Sequence, residues 1–257
     1  MLNFRNTNIL FGVLTAGMIA YNINQHVAWY LYLAVFLVYS MILFYGSSTV
    51  GANFYMKLMN SGANTSRQIA ISFDDGPADN YTSQVLDILS RERVPSAFFC
   101  IGKNIAGREA ILKRIISEDH IIGNHSYSHH FWFDMYGAEK MQADLQQMNA
   151  AVKQVSGLEP ALFRPPYGVT NPNLVKAVKR QGLTPVGWNV RSLDTMIKDP
   201  EKLLERMMSS VKPGAIVLFH DTSEATFLML PAFIERVRGL GFEFVRLDKM
   251  LNIPAYA

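Results

Sequence analysis

Cysteine is nearly absent from this 257-residue chain. Cys100 stands alone, so no intramolecular disulfide and no multi-cysteine zinc knuckle can form. Charge is also scarce: Asp, Glu, Lys and Arg make up 18% of residues, against about 25% in an ordinary soluble protein. That balance excludes intrinsic disorder and a long coiled coil. The net charge of +3 is too small for a basic nucleic-acid binder, so no nucleic-acid partner is expected.

The missing charge is concentrated in one place. No Asp, Glu, Lys or Arg occurs between Arg5 and Lys57. Two apolar runs fill this stretch, Ile9–Tyr21 and the 19-residue Val27–Tyr45, whose one clearly polar member is Ser40. A bilayer span needs about 20 mostly apolar residues, so the second run qualifies directly. The first qualifies if Asn8 and Asn22–Asn24 sit at the interfaces. Trp29, Tyr30 and Tyr45 near the ends of the second run suit an interfacial belt. A buried core helix and a cleaved signal peptide covering the first run are the alternatives. The expectation is one or two transmembrane helices, read as a hairpin anchor over residues 1–46 in contact with the lipid bilayer.

Gly46–Arg67 is rich in Gly, Ser, Asn and Thr. It predicts a tether, residues 47–66, ahead of a globular domain at 67–257. Within that domain, short β-branched and aromatic runs at 68–73, 96–101, 121–124, 161–163, 184–190, 215–219 and 242–247 alternate with amphipathic stretches long enough for crossover helices. Such alternation indicates an α/β fold with a parallel sheet. About 190 residues is short for a full eight-stranded barrel of ~250. The expected architecture is a distorted or incomplete (β/α) barrel of about seven strands.

Chemistry-bearing residues fall where these strands end. Asp74 and Asp75 follow the first strand, His125 and His129 the third, and Arg164 the fourth. Asp194 follows the fifth, and His220-Asp221 closes the sixth. In parallel α/β folds the active site lies at the C-terminal ends of the strands. Two imidazoles at i and i+4 can meet one ion if the segment makes a helical turn, with a carboxylate as third ligand. A His₂Asp set leaves a coordination position open, the mark of a catalytic zinc site. Neighbouring carboxylates in an extended segment point opposite ways. One of Asp74 and Asp75 is therefore expected to ligate while the other takes a proton from water. His120 and His130 read as structural or rim residues. Trp188, Phe131, Trp132 and Phe133 read as core, with sugar stacking the alternative for the last three.

From about Arg67 to Leu247 the chain resembles the polysaccharide deacetylase family, carbohydrate esterase family 4, through five motifs in order. Phe73-Asp74-Asp75-Gly76-Pro77 resembles the first and implies Asp74 as general base and Asp75 as metal ligand. His125-Ser126-Tyr127-Ser128-His129 resembles the second and implies two metal-binding histidines. Arg164-Pro165-Pro166-Tyr167-Gly168 resembles the third, implying that Arg164 holds the base and that the Tyr167 backbone N–H stabilises the oxyanion. Asp194 resembles the acid of the fourth, which tunes the histidine of the fifth. Leu218-Phe219-His220-Asp221 resembles that fifth motif, with His220 as general acid and Leu218 lining the acetyl pocket. One position departs: Thr195 stands where the family's fourth motif usually has Trp, which implies a differently walled pocket.

The resemblance implies a hydrolase using one divalent ion, zinc first, with cobalt or nickel as alternatives. Retention of both His220 and Asp194 leans toward N-deacetylation, because an amine leaving group needs an acid. The implied substrate is a glycan polymer carrying N-acetylhexosamine, peptidoglycan- or chitin-like, reached by an extracytoplasmic catalytic domain. An O-deacetylase of acetylated xylan or another ester-bearing glycan is the first alternative. A non-catalytic, membrane-tethered glycan-binding module is the second.

Overall fold

A computed structural model describes residues 2–63 and 66–257 of the chain. Asn64 and Thr65, part of the expected tether, lie outside the described residues.

The chain begins with two helices, α1 (Phe4–Asn24) and α2 (Trp29–Ser48), packed as a hairpin. The Tyr39 hydroxyl donates to Asn8 Oδ1 (2.8 Å) across it, so Asn8 is satisfied inside the pair. Eighteen of the 25 exposed large hydrophobic side chains among the described residues lie between Leu2 and Tyr45. An exposed apolar surface of this extent marks a site of contact with a membrane or with another protein. By length and composition, α2 is the one described helix able to cross a membrane.

The sheet is built from β1 (Gln68–Asp74), β2 (Ser96–Cys100), β3 (Ile121–Asn124), β4 (Leu162–Phe163), β5 (Thr184–Pro185), β6 (Val190–Arg191), β7 (Ala215–His220) and β8 (Glu243–Phe244). Its order is β5-β4-β3-β2-β1-β7-β6, all parallel, and β8 pairs with the start of β1. Central β1 is buried along nearly its whole length, which explains an apolar run broken only by Ser72 between Ile69 and Phe73. Crossover helices α3 (Thr82–Glu92), α4 (Glu109–Ser117), α5 (Ala138–Ser156), α6 (Pro172–Arg180), α7 (Pro200–Ser210) and α8 (Glu224–Gly239) cover the sheet, and a short α9 (Leu247–Leu251) ends it. Caps place several of them. Asn171 and Asp199 each accept two backbone N–H bonds at a helix start followed by proline, and Ser223 caps α8.

The strand expected at 184–190 is two short pieces. Thr184 N–H and Val186 N–H donate to β4 carbonyls or their neighbours, whereas Asn189 N–H and Ser192 N–H donate to Ile216 and Leu218. One segment thus spans the gap between the two sheet edges and draws them into a distorted barrel. The strand expected over 242–247 is cut to two residues because Leu247 already begins α9.

The described part of 47–66 differs from the loose tether expected. Val50, Phe54 and Leu58 are buried, Met59 bridges Val186, and Ser61 bridges Ala215. Thr170 N–H donates to the Ser47 carbonyl, and the Ser47 hydroxyl donates back to Thr170. Gly187 makes this packing possible: a Cβ there would lie 2.5 Å from Val50 Cγ1. Polar composition hid three large apolar side chains spaced four residues apart.

Candidate active site

The end of β1 sets the geometry. Asp74 is the last strand residue, and its neighbour Asp75 takes a left-handed φ of 78°. That turn breaks the alternation of an extended chain, so both carboxylates face the same imidazole. Asp74 Oδ2 lies 3.8 Å and Asp75 Oδ1 3.6 Å from His125 Nε2. The expectation that the two would point opposite ways fails here, for that backbone reason.

The second pair of candidates is also not helical. His125 follows β3 directly, and the loop to His129 contains two left-handed residues, Ser126 (φ 66°) and His129 (φ 40°). Asp144 on α5 shapes this loop by accepting from the Tyr127 and Ser128 N–H groups, and Ser126 Oγ accepts from His129 N–H. The outcome still brings the imidazoles together: His129 Nε2 is 3.5 Å from Asp75 Oδ1. Ligand atoms of Asp75, His125 and His129 all lie within 4.8 Å of one another.

Whether these residues fit a metal can be judged from His125. Its Nδ1–H donates to the Arg164 carbonyl (2.8 Å), which can only accept, so the Nε2 lone pair is left facing the cluster. Burial first, then the neighbouring His129, pushes the His125 pKa down to about 3 and keeps the ring neutral. A neutral imidazole pair with a carboxylate is a donor set suited to zinc or a similar divalent ion. The residues fit.

Arg164 is fully buried. Its Nη1 donates to Asp74 Oδ1 (2.8 Å) and to Ser72 Oγ (2.8 Å), and its Nη2 donates to the Gly187 carbonyl (3.0 Å). The guanidinium carbon sits 4.0 Å from the Phe99 ring centroid. One Asp74 oxygen is therefore tied down while the other faces the cluster. Burial raises the Asp74 pKa, opposed by the Arg164 charge and hydrogen bond. The net rise makes it a stronger base than an ordinary carboxylate.

At the end of β7, in register with Asp74 on β1, His220 Nε2 stands 3.9 Å from Asp75 Oδ2. Asp194 grips this histidine twice: Oδ1 accepts from Nδ1–H (2.7 Å) and Oδ2 from the backbone N–H (2.7 Å). The Thr226 hydroxyl donates to Asp194 Oδ2 as well (2.6 Å). Burial alone lowers the His220 pKa, but the Asp194 hydrogen bond and charge, with Asp74 and Asp75, outweigh it and raise it to about 9. The imidazolium is thus the resting form at neutral pH. A raised pKa stabilises the fold fully below the unfolded value of about 6.5, and that contribution is lost as pH rises through about 9. Asp194→Asn is expected to bring the His220 midpoint down toward 6.5. NMR titration of the imidazole in chelated protein measures it, and an unchanged midpoint would remove Asp194 as the cause.

Asp221, next along the chain, points into the core, where Thr82 Oγ1 donates to Oδ2 (2.7 Å); burial lifts its pKa to about 7. Gly76 presses against this carboxylate. A Cβ on Gly76 would lie 2.1 Å from Asp221 Oδ2. Gly76→Ala is therefore expected to cost about 1–3 kcal/mol through overpacking. Thermal unfolding checks it, and an unaltered Tm would show that the close approach is relaxed in solution.

Tyr167 also has a left-handed φ (57°), and its ring lies 4.6 Å from that of His129. Five of the nine described non-glycine residues with positive φ sit on these loops: Asp75, Ser126, His129, Tyr167 and Leu193. Such clustering is typical of functional sites. Leu218 is buried in β7, and Thr195 is exposed on the loop after Asp194.

His120 is structural as expected, its Nδ1 accepting from Ser96 N–H. His130 is an exposed rim residue and Cys100 is buried. Phe133 is core, but Phe131 and Trp132 are 72% and 59% exposed, contrary to the core assignment. Trp188 is only partly buried and lies beside the Arg164 and Arg191 guanidinium groups. Sequence reasoning missed Ser72, Gly187 and Thr226. Each acts as a partner of a recognised residue from another strand, helix or connecting segment, and none has a local pattern.

The polysaccharide deacetylase family model matches residues 61–186. The peptidoglycan-N-acetylglucosamine deacetylase PgdA of Listeria monocytogenes is 30% identical over 73% of this chain, which spans only 40% of that relative. The peptidoglycan-N-acetylmuramic acid deacetylase PdaA of Bacillus subtilis is 32% identical over 74% of this chain and 73% of its own length. The crystal structure of the Bc1960 peptidoglycan N-acetylglucosamine deacetylase superposes with a TM-score of 0.74 at 26% identity, covering 78% of this chain and 95% of that one.

Proposed function

The chain belongs to the polysaccharide deacetylase family, and we propose that within it the protein is a metal-dependent hydrolase removing N-acetyl groups from a glycan that contains N-acetylhexosamine. The carrying observation is that a carboxylate fit to act as base and an imidazole fit to act as acid, at the ends of neighbouring strands, both border one ligand cluster. Asp74 faces His125 at 3.8 Å, and His220 faces Asp75 at 3.9 Å.

Asp75, His125 and His129 would hold one divalent ion, zinc first, which when bound supplies polarisation of the acyl oxygen and acidification of water. Asp74, with Oδ1 fixed by Arg164, accepts the proton of the attacking water at Oδ2. The water oxygen bonds to the acyl carbon. His220, with Nδ1 held by Asp194, donates the Nε2 proton to the departing nitrogen as the C–N bond breaks. Acetate and a free amine result. With Nδ1–H held by Asp194, His220 is kept as a proton donor at Nε2, which a leaving amine needs more than an alkoxide does, and this favours the amide over the ester. The Tyr167 N–H serves the oxyanion, and Leu218 with Thr195 borders the acyl group.

The N-terminal hairpin is assigned as a membrane anchor, with the catalytic domain outside the cytoplasm where such glycans lie. Acetate release by the full chain in detergent, measured on N-acetylated and O-acetylated glycans in parallel, tests the reading. N-acetylated glycans should be preferred. Release confined to O-acetyl esters would replace it with the esterase alternative, and binding without release would favour the glycan-binding module.

A further inference from the structure

The way the hairpin joins the domain bears on what can reach the site. Helix α2 has 20 residues, about 30 Å of helix, the thickness of a hydrocarbon core. Its last turn lies beside Thr170, on the loop that runs from the end of β4 to α6, held by the reciprocal Ser47–Thr170 hydrogen bonds. From there the chain crosses to Ala215, where β7 begins, and only then does β1 start. The strands therefore run back toward the hairpin. Their C-terminal ends, with Asp74, His125 and His220, share the face on which α2 leaves the domain.

Ser48, Thr49, Val50 and Gly51 themselves wall a cleft of about 270 Å³ whose other side is Tyr167, Trp188, Asn189 and Arg191. Tyr167 in turn touches His129. No spacer separates the end of the membrane helix from the site. A second observation points the same way. Outside the hairpin there are seven exposed large hydrophobic side chains among the described residues. Five of them, Phe131, Trp132, Met135, Tyr167 and Met196, lie on loops that carry site residues. Exposed Trp, Phe and Met around a site at the end of a spanning helix suit the headgroup layer.

We propose that the substrate is a membrane-resident amphiphile, an N-acetylated saccharide joined to a lipid, deacetylated at the bilayer surface rather than as free polymer at a distance from it. Arg191 gives the cleft a cation for a phosphate linking sugar to lipid. This inference rests on the deacetylase reading and on the anchor assignment.

The test uses the full chain reconstituted in phosphatidylglycerol–phosphatidylethanolamine vesicles. Acetate release is compared for an N-acetylglucosamine disaccharide linked through diphosphate to a polyprenyl tail in those vesicles, for the same disaccharide free in solution, and for soluble N-acetylglucosamine polymer, at equal acetyl concentration. The lipid-linked form should be hydrolysed with at least a tenfold higher kcat/KM. Equal or faster hydrolysis of the free polymer overturns the inference and leaves the deacetylase reading standing. No release from any of the three overturns both. Phe131→Ser with Trp132→Ser supplies a second readout, expected to lower turnover of the lipid-linked form at least fivefold with turnover of the free disaccharide unchanged. Equal losses on both would show that these rings stack on sugar instead, against the membrane role.

Discussion

Asp74→Asn is expected to reduce kcat by about 10²–10⁴-fold, the usual contribution of a positioned general base. The amide keeps an oxygen for Arg164 Nη1, now 2.8 Å from Asp74 Oδ1, but offers no group that can take the proton of water. Metal stoichiometry should be unchanged, since Asp75, His125 and His129 remain. Stability should fall, because Arg164 is fully buried and loses its counter-charge. Removing one member of a buried pair costs up to about 3–5 kcal/mol. The retained hydrogen bond and the partners Ser72 and Gly187 should hold the loss below that. Steady-state rates, metal content and a melting curve together check it. Activity within a few-fold of the parent would assign the base elsewhere.

The second large effect belongs to the ligand set. His129→Ala and His125→Ala should each abolish stoichiometric zinc binding and lower activity by at least about 100-fold. Loss of a mere outer-shell partner already costs 10–100-fold, and a direct ligand costs no less. The two variants should differ in stability. His125 is buried and satisfies the Arg164 carbonyl, so its removal also strands a buried acceptor, worth about 1–3 kcal/mol. His129 lies nearer the surface and is the cleaner variant. Metal analysis after dialysis is the measurement. Unchanged zinc content in both variants would remove the assignment, whatever the activity.

The site was legible in the sequence because it is built from strand ends. Asp74, His125, Arg164 and His220 each follow an apolar run short enough to read as a strand. Their convergence follows from the parallel sheet. What escaped is what depends on a single dihedral or a distant partner. Two carboxylates face one imidazole because Asp75 is left-handed, and the histidine spacing works through a loop with two left-handed residues. Neither conformation carries the strong signal of a glycine; Asp and His only favour it weakly among the other residues. Likewise, 184–190 reads as one strand because Thr184, Val186, Trp188 and Val190 alternate through it; the gap that it bridges is a property of the whole barrel. The segment after α2 looked like a tether because Gly, Ser and Asn outnumber Val50, Phe54 and Leu58, the residues that anchor it. That packing has a practical consequence: a fragment beginning at residue 67 would lack part of the domain's own wall.

In the proposed function, this cluster hydrolyses an N-acetyl group with the help of a bound divalent ion. Acetate and free amine released from an N-acetylglucosamine oligomer by the full chain, measured before chelation, after exhaustive chelation, and after return of one equivalent of zinc, test it most directly. Equimolar acetate and amine, lost on chelation and restored by zinc, are the predicted result; undiminished release from protein shown to be metal-free would contradict it.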